Sequence, residues 1–522
     1  MDQKKITKYA GTVSAATAIS RILGYARDMM VAQIFGAGMF ADAFYAAYRI
    51  PNLFRRLLGE GSVSTAFVPV FSSYLETKTK EETQNLLNNV FTVLLIILAV
   101  ITVLGIIFSR QLTTLIAFGF IATPEKMDIA VTLTQLMFPF LFFACLAALM
   151  LGVLNSLKKF FLPAVAPASL SIAELVYAAL IFYVLTLSES QQIKGLAISV
   201  VVGGFAQYFV QQLDVFRNGF HIKFKLNLKH PGLRQIMFLI IPTIVSFSAD
   251  QINTFVDTIC ASFLKEGSIT ALYYSNRLMQ LPLALFGIAM TTVSLPIMSQ
   301  SYAKNDMQQM KQTLNFSLCL LLFTLLPATI GFIVLGLPII RLLFEHGKFT
   351  LEASKITYSA LAYFSLGLIG YSFTKILASS FYAMKETKFP VRTALASMVV
   401  NVILNILLMG PMGVGGLALA TAAASYVNSF LLLHYLRKRI GLIGGKEIMK
   451  SFLKIAIASL LMGLTVYLFS TFQYPKPHLL LNVFISILAG LIVYALAAKL
   501  LDIKERKPVF SLLRINTIFG DE

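Results

Sequence analysis

The chain has 522 residues, of which 57% are hydrophobic and only 13% are charged. Soluble domains carry about 25% charged residues, so this composition excludes a soluble enzyme and is typical of a protein that crosses a membrane many times. The net charge of +19 is concentrated in a few loops, which favours membrane topology rather than nucleic-acid binding as its cause.

Apolar segments of about 20 residues or more, the length that a bilayer requires, recur along the whole chain. The N-terminal run continues through two arginines and predicts a retained first helix rather than a signal peptide. The sequence therefore predicts an all-α polytopic membrane protein with about fourteen transmembrane helices. The predicted segments are 10–34, 39–74 with a break near Pro51, 86–109, 129–155, 162–187, 193–215, 235–263, 268–300, 314–340, 353–384, 388–410, 413–436, 450–470 and 478–501.

Lys and Arg accumulate in alternate loops, above all at 217–234 and 437–450, and in both termini. Basic loops stay on the cytoplasmic side, so this distribution predicts that both termini are cytoplasmic and that the number of spans is even. The basic loops could also touch anionic lipid headgroups, although topology alone explains them.

The chain repeats itself at an offset of about 228 residues. Asp28 and Gly38 recur as Asp257 and Gly267, and the segment from Asn155 to Pro163 recurs from Tyr382 to Pro390. A constant offset indicates an internal repeat of six helices. It predicts two pseudo-symmetric lobes around a central cavity, the architecture of an alternating-access transporter. The predicted divisions are 1–217 and 218–440 for the lobes, and 441–522 for an extra helix pair and a basic cytoplasmic tail.

The stretch 21–74 is unusually charged for a membrane protein. A charge at bilayer depth costs roughly 2.5–3.5 kcal/mol, so such residues normally face a watery or protein-lined interior. Guanidinium groups match phosphate oxygens, and the arginines outnumber the acids, so we predict an anion site. The alternative is an internal salt-bridge network that only holds helices together. For Arg277 the alternative is that it caps the carbonyls of a broken helix before Pro282. The candidate residues are Arg21, Arg27, Asp28, Asp42, Arg55, Arg56, Glu60 and Arg277.

A second polar set has the oxygen ligands that sodium or a proton relay would use. Asn401 and Asn405 share a helix face, with Thr421 on the next helix and Asp257 elsewhere in the chain. Hydrogen bonding between helices is the alternative interpretation. Lys375 is a further intramembrane charge that would neutralise an acid or join the anion cavity. The sequence contains no HExxH, P-loop or G-x-S-x-G motif, so we expect neither an enzyme nor a bound cofactor.

The stretch RILGYARD, followed by IFGAGMFADAFYAAYRIPNLFRRLLGEGSVSTAFVPVFSSY, resembles the signature of the MurJ (MviN) family of lipid II flippases. This family belongs to the superfamily of multidrug, oligosaccharidyl-lipid and polysaccharide exporters. The resemblance implies a groove for a polyprenyl tail beside the last two helices. It also implies roles for residues already selected: cavity arginines at Arg21, Arg27, Arg55 and Arg277, cavity acids at Asp28, Asp42 and Glu60, and a sodium site at Asp257, Asn401, Asn405 and Thr421.

The resemblance thus implies a flippase in the bacterial inner membrane. Its substrate would be lipid II, an undecaprenyl-diphosphate-linked disaccharide-pentapeptide, moved from the cytoplasmic to the outer leaflet by alternating access. The cavity arginines would hold the diphosphate. The expected partners are lipid II, membrane lipids and cell-wall synthesis proteins, and no nucleic acid. Two alternatives stay open: an exporter of another polyprenyl-linked glycan, and a non-transporting scaffold of cell-wall assembly.

Overall fold

The structure, a computed structural model, describes residues 3–184, 186–471 and 479–507. Within these ranges, the side chains at 3–15, 60–65, 241–250 and 471 are outside the description. The described chain is built from helices joined by short loops, which confirms the predicted all-α class.

The helices divide into two compact units. The first unit reaches to Thr270 and also includes Gly347–Phe349, and the second holds Ala271–His346 and everything from Thr350 onward. The predicted lobe boundaries at 217 and 440 stay predictions. In the first unit the α-helices are α1 (Gln3–Phe35), α2 (Met39–Phe54), α3 (Ser64–Thr77), α4 (Lys80–Ile107), α5 (Ser109–Ile116), α6 (Pro124–Ser156), α7 (Phe161–Val165), α8 (Ala168–Tyr183), α9 (Glu189–Arg217) and α10 (Pro231–Ser262).

The second unit begins inside the next helix. Its α-helices are α11 (Ser268–Pro282), α12 (Ala289–Ala303), α13 (Met307–Phe344), α14 (Leu351–Leu366), α15 (Leu368–Ala383), α16 (Lys388–Met412), α17 (Val414–Ile440), α18 (Gly445–Thr471) and α19 (Leu479–Leu500).

Every predicted apolar segment coincides with one of these helices or with two consecutive ones. Within the described part of the chain, ten helices are long and apolar enough to cross a membrane. α8, with 16 residues, is a shorter apolar helix. The multi-pass character is thereby confirmed, whereas the number fourteen stays a prediction.

Two long helices are interrupted by π-helical segments at corresponding points of the repeat. Arg55–Val63 joins α2 to α3, and Leu283–Ile288 joins α11 to α12. Each interruption follows a proline, Pro51 or Pro282. Proline lacks an N–H and so leaves the carbonyl four residues earlier without its helical bond, which weakens the turn before each interruption. The break predicted near Pro51 is observed as the π-helical segment that begins at Arg55. Arg55 and Arg56 therefore lie in π-helical backbone, a geometry frequent at functional sites.

Each unit has its own apolar core. In the first, α6 packs against α2, α4, α9 and the π-helical segment, and Gly59 lets that segment approach Cys145 of α6 closely. In the second, the terminal pair α18 and α19 packs on α13. The Tyr494 hydroxyl of α19 donates to the carbonyl of Phe323 at 2.6 Å. The extra helix pair is therefore built into the core of its unit.

Candidate functional site

Arg27 is the centre of a buried charge cluster in the first unit. It lies near the end of α1 and is only 8% exposed. Its Nη2 and Nε donate to Oδ1 of Asp28 at 2.6 and 3.0 Å. Its Nη1 donates to Oε1 of Glu174 on α8 at 3.3 Å. One buried guanidinium is thus held by two buried carboxylates, which fix its position.

Tyr48 on α2 connects this cluster to the π-helical arginines. The half-buried phenol lies within electrostatic range of Arg27, Glu174, Arg55 and Arg56. Arg55 is half-buried and its Nε donates to Oδ1 of Asn52 at 3.0 Å, whereas Arg56 is exposed. The charges of three predicted arginines therefore act on one tyrosine, one arginine on α1 and two on the segment that follows α2.

The other predicted site residues lie in varied settings. Arg21, two turns before Arg27 on α1, is exposed. Arg277 is half-buried on α11 in the second unit, about one turn before Pro282. The side chain of Glu60 lies outside the described residues. Lys375 is half-buried on α15. Their predicted roles stay predictions.

Asp42, predicted to face substrate, is 1% exposed and surrounded by donors of the protein itself. Its Oδ2 accepts from Lys126 Nζ at 2.9 Å and from the Gly267 amide at 2.8 Å. Its Oδ1 accepts from the Thr270 amide at 2.9 Å and from the Thr270 hydroxyl at 2.8 Å. The carboxylate thus caps the first turn of α11 and neutralises a buried lysine, which is a structural arrangement.

The polar set proposed for a cation is hydrogen-bonded within the second unit. Asn405 donates to Asn401 at 3.2 Å, and Asn401 donates to the Thr421 hydroxyl at 3.1 Å. This chain of bonds joins α16 to α17, as expected of interhelical hydrogen bonds. Asp257 is buried on α10 in the first unit. Among the described residues, no group of three or more His, Cys, Asp and Glu side chains could hold a metal ion.

Two contributors to these clusters escaped sequence reasoning. Neither Glu174 nor Lys126 is among the site residues predicted from the sequence. Glu174 lies in an apolar helix, and a lone acid there is expected to need a buried partner. That signal identifies Glu174 as part of a site without identifying Arg27 as its partner.

The geometry also changes the predicted charge balance. Glu174 adds a buried acid that was not among the predicted site residues, so the surroundings of Arg27 are not simply a cationic pocket. An anion that binds Arg27 must compete with two carboxylates that are already in place. The arrangement can therefore hold a guanidinium in a fixed position before a strongly charged ligand, such as a phosphate ester, arrives.

Comparison with known proteins places these features in a family. The family model described as "Lipid II flippase MurJ" matches residues 31–490. The chain is 36% identical over 437 residues to a "Probable lipid II flippase MurJ" of Vibrio cholerae, which covers 82% of each chain. It is 35% identical over 432 residues to the "Lipid II flippase MurJ" of Burkholderia cenocepacia, covering 82% of this chain and 83% of that one.

Solved structures agree with the sequence relatives. A structure described as "Lipid II flippase MurJ, inward closed conformation" superposes with a TM-score of 0.78 at 30% identity, covering 93% of this chain and 98% of that one. An inward-facing multidrug transporter of the MATE family has a TM-score of 0.69 at 12% identity, covering 83% and 98%, and so shares the fold alone. The predicted family is confirmed: the chain belongs to the MurJ family of lipid II flippases.

Proposed function

We propose that this chain is a flippase that carries lipid II across the bacterial inner membrane. The observation that carries the proposal is the match of the flippase family model to residues 31–490. Relatives named as lipid II flippases cover more than four fifths of the chain. A flippase is a transporter and not an enzyme, in agreement with the prediction from the sequence.

The substrate explains why a polytopic protein is needed. A disaccharide-pentapeptide on a diphosphate carries many polar groups. Each group costs several kcal/mol when it enters hydrocarbon without a hydrogen-bond partner. A polar path through helices removes most of this barrier, while the polyprenyl tail stays in lipid. The transporter then needs a residue that recognises the one group common to all such substrates, the diphosphate.

We infer that Arg27 and Arg55 bind the diphosphate. Planar guanidinium groups bind phosphate oxygens in pairs, and the charges of both arginines act on Tyr48. Asp28 and Glu174 hold Arg27 in place while no substrate is bound, and the more highly charged diphosphate then competes for its N–H donors. Arg277 of the second unit stays a predicted contributor to the diphosphate site. Coupling of transport to Na+ or protons through Asp257 also stays a prediction.

Alternating access is the transport mechanism that the family's fold favours. The solved structures with this fold include inward closed, inward-facing and outward-facing conformations of different proteins. One architecture therefore supports several states, and a flippase would expose the arginines to each side of the membrane in turn.

The test is lipid II translocation by the purified full chain in vesicles, measured as the fraction of headgroup accessible to a membrane-impermeant reagent. We expect protein-dependent equilibration of lipid II between leaflets. Protein-free vesicles give the background rate, and a second polyprenyl-diphosphate glycan tests the exporter alternative. Translocation no faster than the background would contradict the proposal and favour the scaffold alternative.

A further inference from the structure

Residues 220–229, which we call the strap, connect α9 to α10 without helix or strand, and Leu228 and Lys229 form a turn before α10. The strap lies along the beginning of α4 through an unusual set of bonds. The backbone amides of four alternate residues donate to side chains of that helix: His221 to Gln84 at 2.9 Å, Lys223 to Asn88 at 3.0 Å, Lys225 to Thr92 at 3.0 Å, and Asn227 to Asn89 at 2.6 Å.

These bonds fix the path of the strap. Gln84 also donates from its Nε2 to the His221 carbonyl at 2.8 Å, so this amide side chain pairs with the backbone as a neighbouring strand would. At the start of the strap, Phe220 is 3% exposed and belongs to the core of the first unit. The strap is therefore anchored both by its backbone and by a buried aromatic ring.

An extended chain places alternate side chains on opposite faces. From 221 to 227, where alternate amides donate to α4, one face carries the exposed Lys223 and Lys225, and the Lys225 Nζ donates to Oδ1 of Asn85 at 3.0 Å. Lys229, in the turn that follows, is also exposed. The other face carries two exposed apolar side chains, Phe224 at 77% and Leu226 at 58%. Leu228, in the turn that follows, is 64% exposed. An extended segment with this alternation has one face suited to anions and one face suited to hydrocarbon.

The position of the strap along α4 is equally specific. The strap follows α4 as far as Thr92, and beyond Thr92 the helix continues into the uncharged run VLLIILAVITVLGII. Backbone that is not helical cannot face hydrocarbon, because its polar groups would lack partners. The strap therefore belongs at the membrane–water interface, where apolar side chains reach the acyl chains and lysines reach the headgroups.

The charge of the strap has one sign. Residues 220–229 contain no acid. Arg217 and Arg234, exposed on either side of the strap, add to its positive charge. Burial and then the nearby Lys225 charge lower the pKa of His230 below its usual value. This shift favours the neutral imidazole, so the lysines and arginines supply the positive charge of the strap.

We propose that the strap is a docking surface for the anionic phospholipids of the bilayer. Its lysines bind the headgroups, and Phe224, Leu226 and Leu228 insert among the acyl chains. The polar side chains on α4 hold the backbone so that both faces are presented without further ordering of the chain. This site is separate from Arg27 and its neighbours and does not depend on which lipid-linked substrate the protein carries.

The chain has no tryptophan, which allows a direct test. The full chain with the single substitution Phe224→Trp is reconstituted into mixed vesicles of phosphatidylglycerol and phosphatidylcholine. Bromine is placed on the acyl chains of one lipid or the other, and quenching of the tryptophan is measured. We expect brominated phosphatidylglycerol to quench more strongly at equal mole fraction, with a local enrichment of about fivefold.

The measurement is repeated with Lys223→Gln, Lys225→Gln and Lys229→Gln added to Phe224→Trp. The ratio of quenching by brominated phosphatidylglycerol to quenching by brominated phosphatidylcholine should then be close to one. The control is Leu480→Trp on α19, a side chain that is 66% exposed, for which both brominated lipids should quench equally. Absence of quenching at position 224 would contradict membrane insertion. Equal quenching by the two lipids, or a preference that survives the lysine substitutions, would contradict the headgroup site.

Discussion

Arg27 on α1 and Glu174 on α8 are 147 positions apart in the chain, yet a guanidinium nitrogen of Arg27 donates to the Glu174 carboxylate at 3.3 Å. Both side chains are buried. A buried ion pair contributes little net stability while it is intact, but loss of one partner leaves an uncompensated charge. The pair therefore determines how any substitution of Arg27 must be interpreted.

Arg27→Gln should destabilise the protein by about 3–5 kcal/mol, because Asp28 and Glu174 both lose the bond to a buried cation. The double substitution Arg27→Gln with Glu174→Gln should recover much of this loss. Denaturant unfolding in detergent micelles measures both variants. Equal stability of Arg27→Gln and wild type would show that the cluster is already solvated.

Glu174→Gln alone should strengthen the binding of undecaprenyl diphosphate, since one of the two carboxylates that compete for Arg27 is removed. We expect about a tenfold lower Kd, equivalent to about 1.4 kcal/mol. Titration of the purified protein in micelles provides the measurement, with Glu189→Gln as the control for loss of an exposed carboxylate. Weaker binding in Glu174→Gln would mean that positioning of Arg27 matters more than competition.

Asp42 and Lys126 should be strongly coupled, because their side chains are buried and bonded at 2.9 Å. In a double-mutant cycle of Asp42→Asn and Lys126→Met, we expect an interaction energy of about 1–3 kcal/mol. Unfolding of the four proteins under the same conditions gives this value. Losses that add within about 0.5 kcal/mol would contradict the ion pair.

Gly267→Ala should be destabilising by about 1–3 kcal/mol. Gly267 has a φ of +86°, and a Cβ there would lie 2.6 Å from the Ala37 carbonyl oxygen. Gly331 on α13 is the matched control, since a Cβ there meets nothing within 4 Å. Gly331→Ala should stabilise by about 0.5–1 kcal/mol through helix propensity. Similar changes in the free energy of unfolding for Gly267→Ala and Gly331→Ala would contradict a strained backbone and close contact at Gly267.

The sequence predicted the helices well because a membrane span has a simple signal, a long apolar run. It also predicted the repeat, and the π-helical segments at Arg55–Val63 and Leu283–Ile288 lie at corresponding positions in it. Site residues that lie on the same helix could also be predicted, as Arg27 and Asp28 are adjacent in α1.

The sequence did not predict which residues of distant helices pair with each other. Nothing in the local pattern says that Glu174 meets Arg27 or that Lys126 meets Asp42, because these pairs depend on how α8 and α6 pack. The strap was predicted only in part, as the basic loop 217–234 that could touch anionic lipid headgroups. Its lysines and leucines are visible in the sequence, but the side chains of α4 that hold its backbone are found only in the folded unit.

Lipid II translocation in vesicles, at matched protein insertion, tests whether arginines hold the diphosphate. The variant is Arg27→Gln with Glu174→Gln, which removes the arginine and one acid together and so keeps the net charge of the cluster. The control is Arg110→Gln with Asp128→Asn, which removes an exposed ion pair in the same way.

We expect translocation to fall at least about tenfold in the buried variant, a change of about 1.4 kcal/mol, and to stay near wild type in the control. Equal rates for the buried variant and wild type would contradict the account and leave Arg27 as a structural residue.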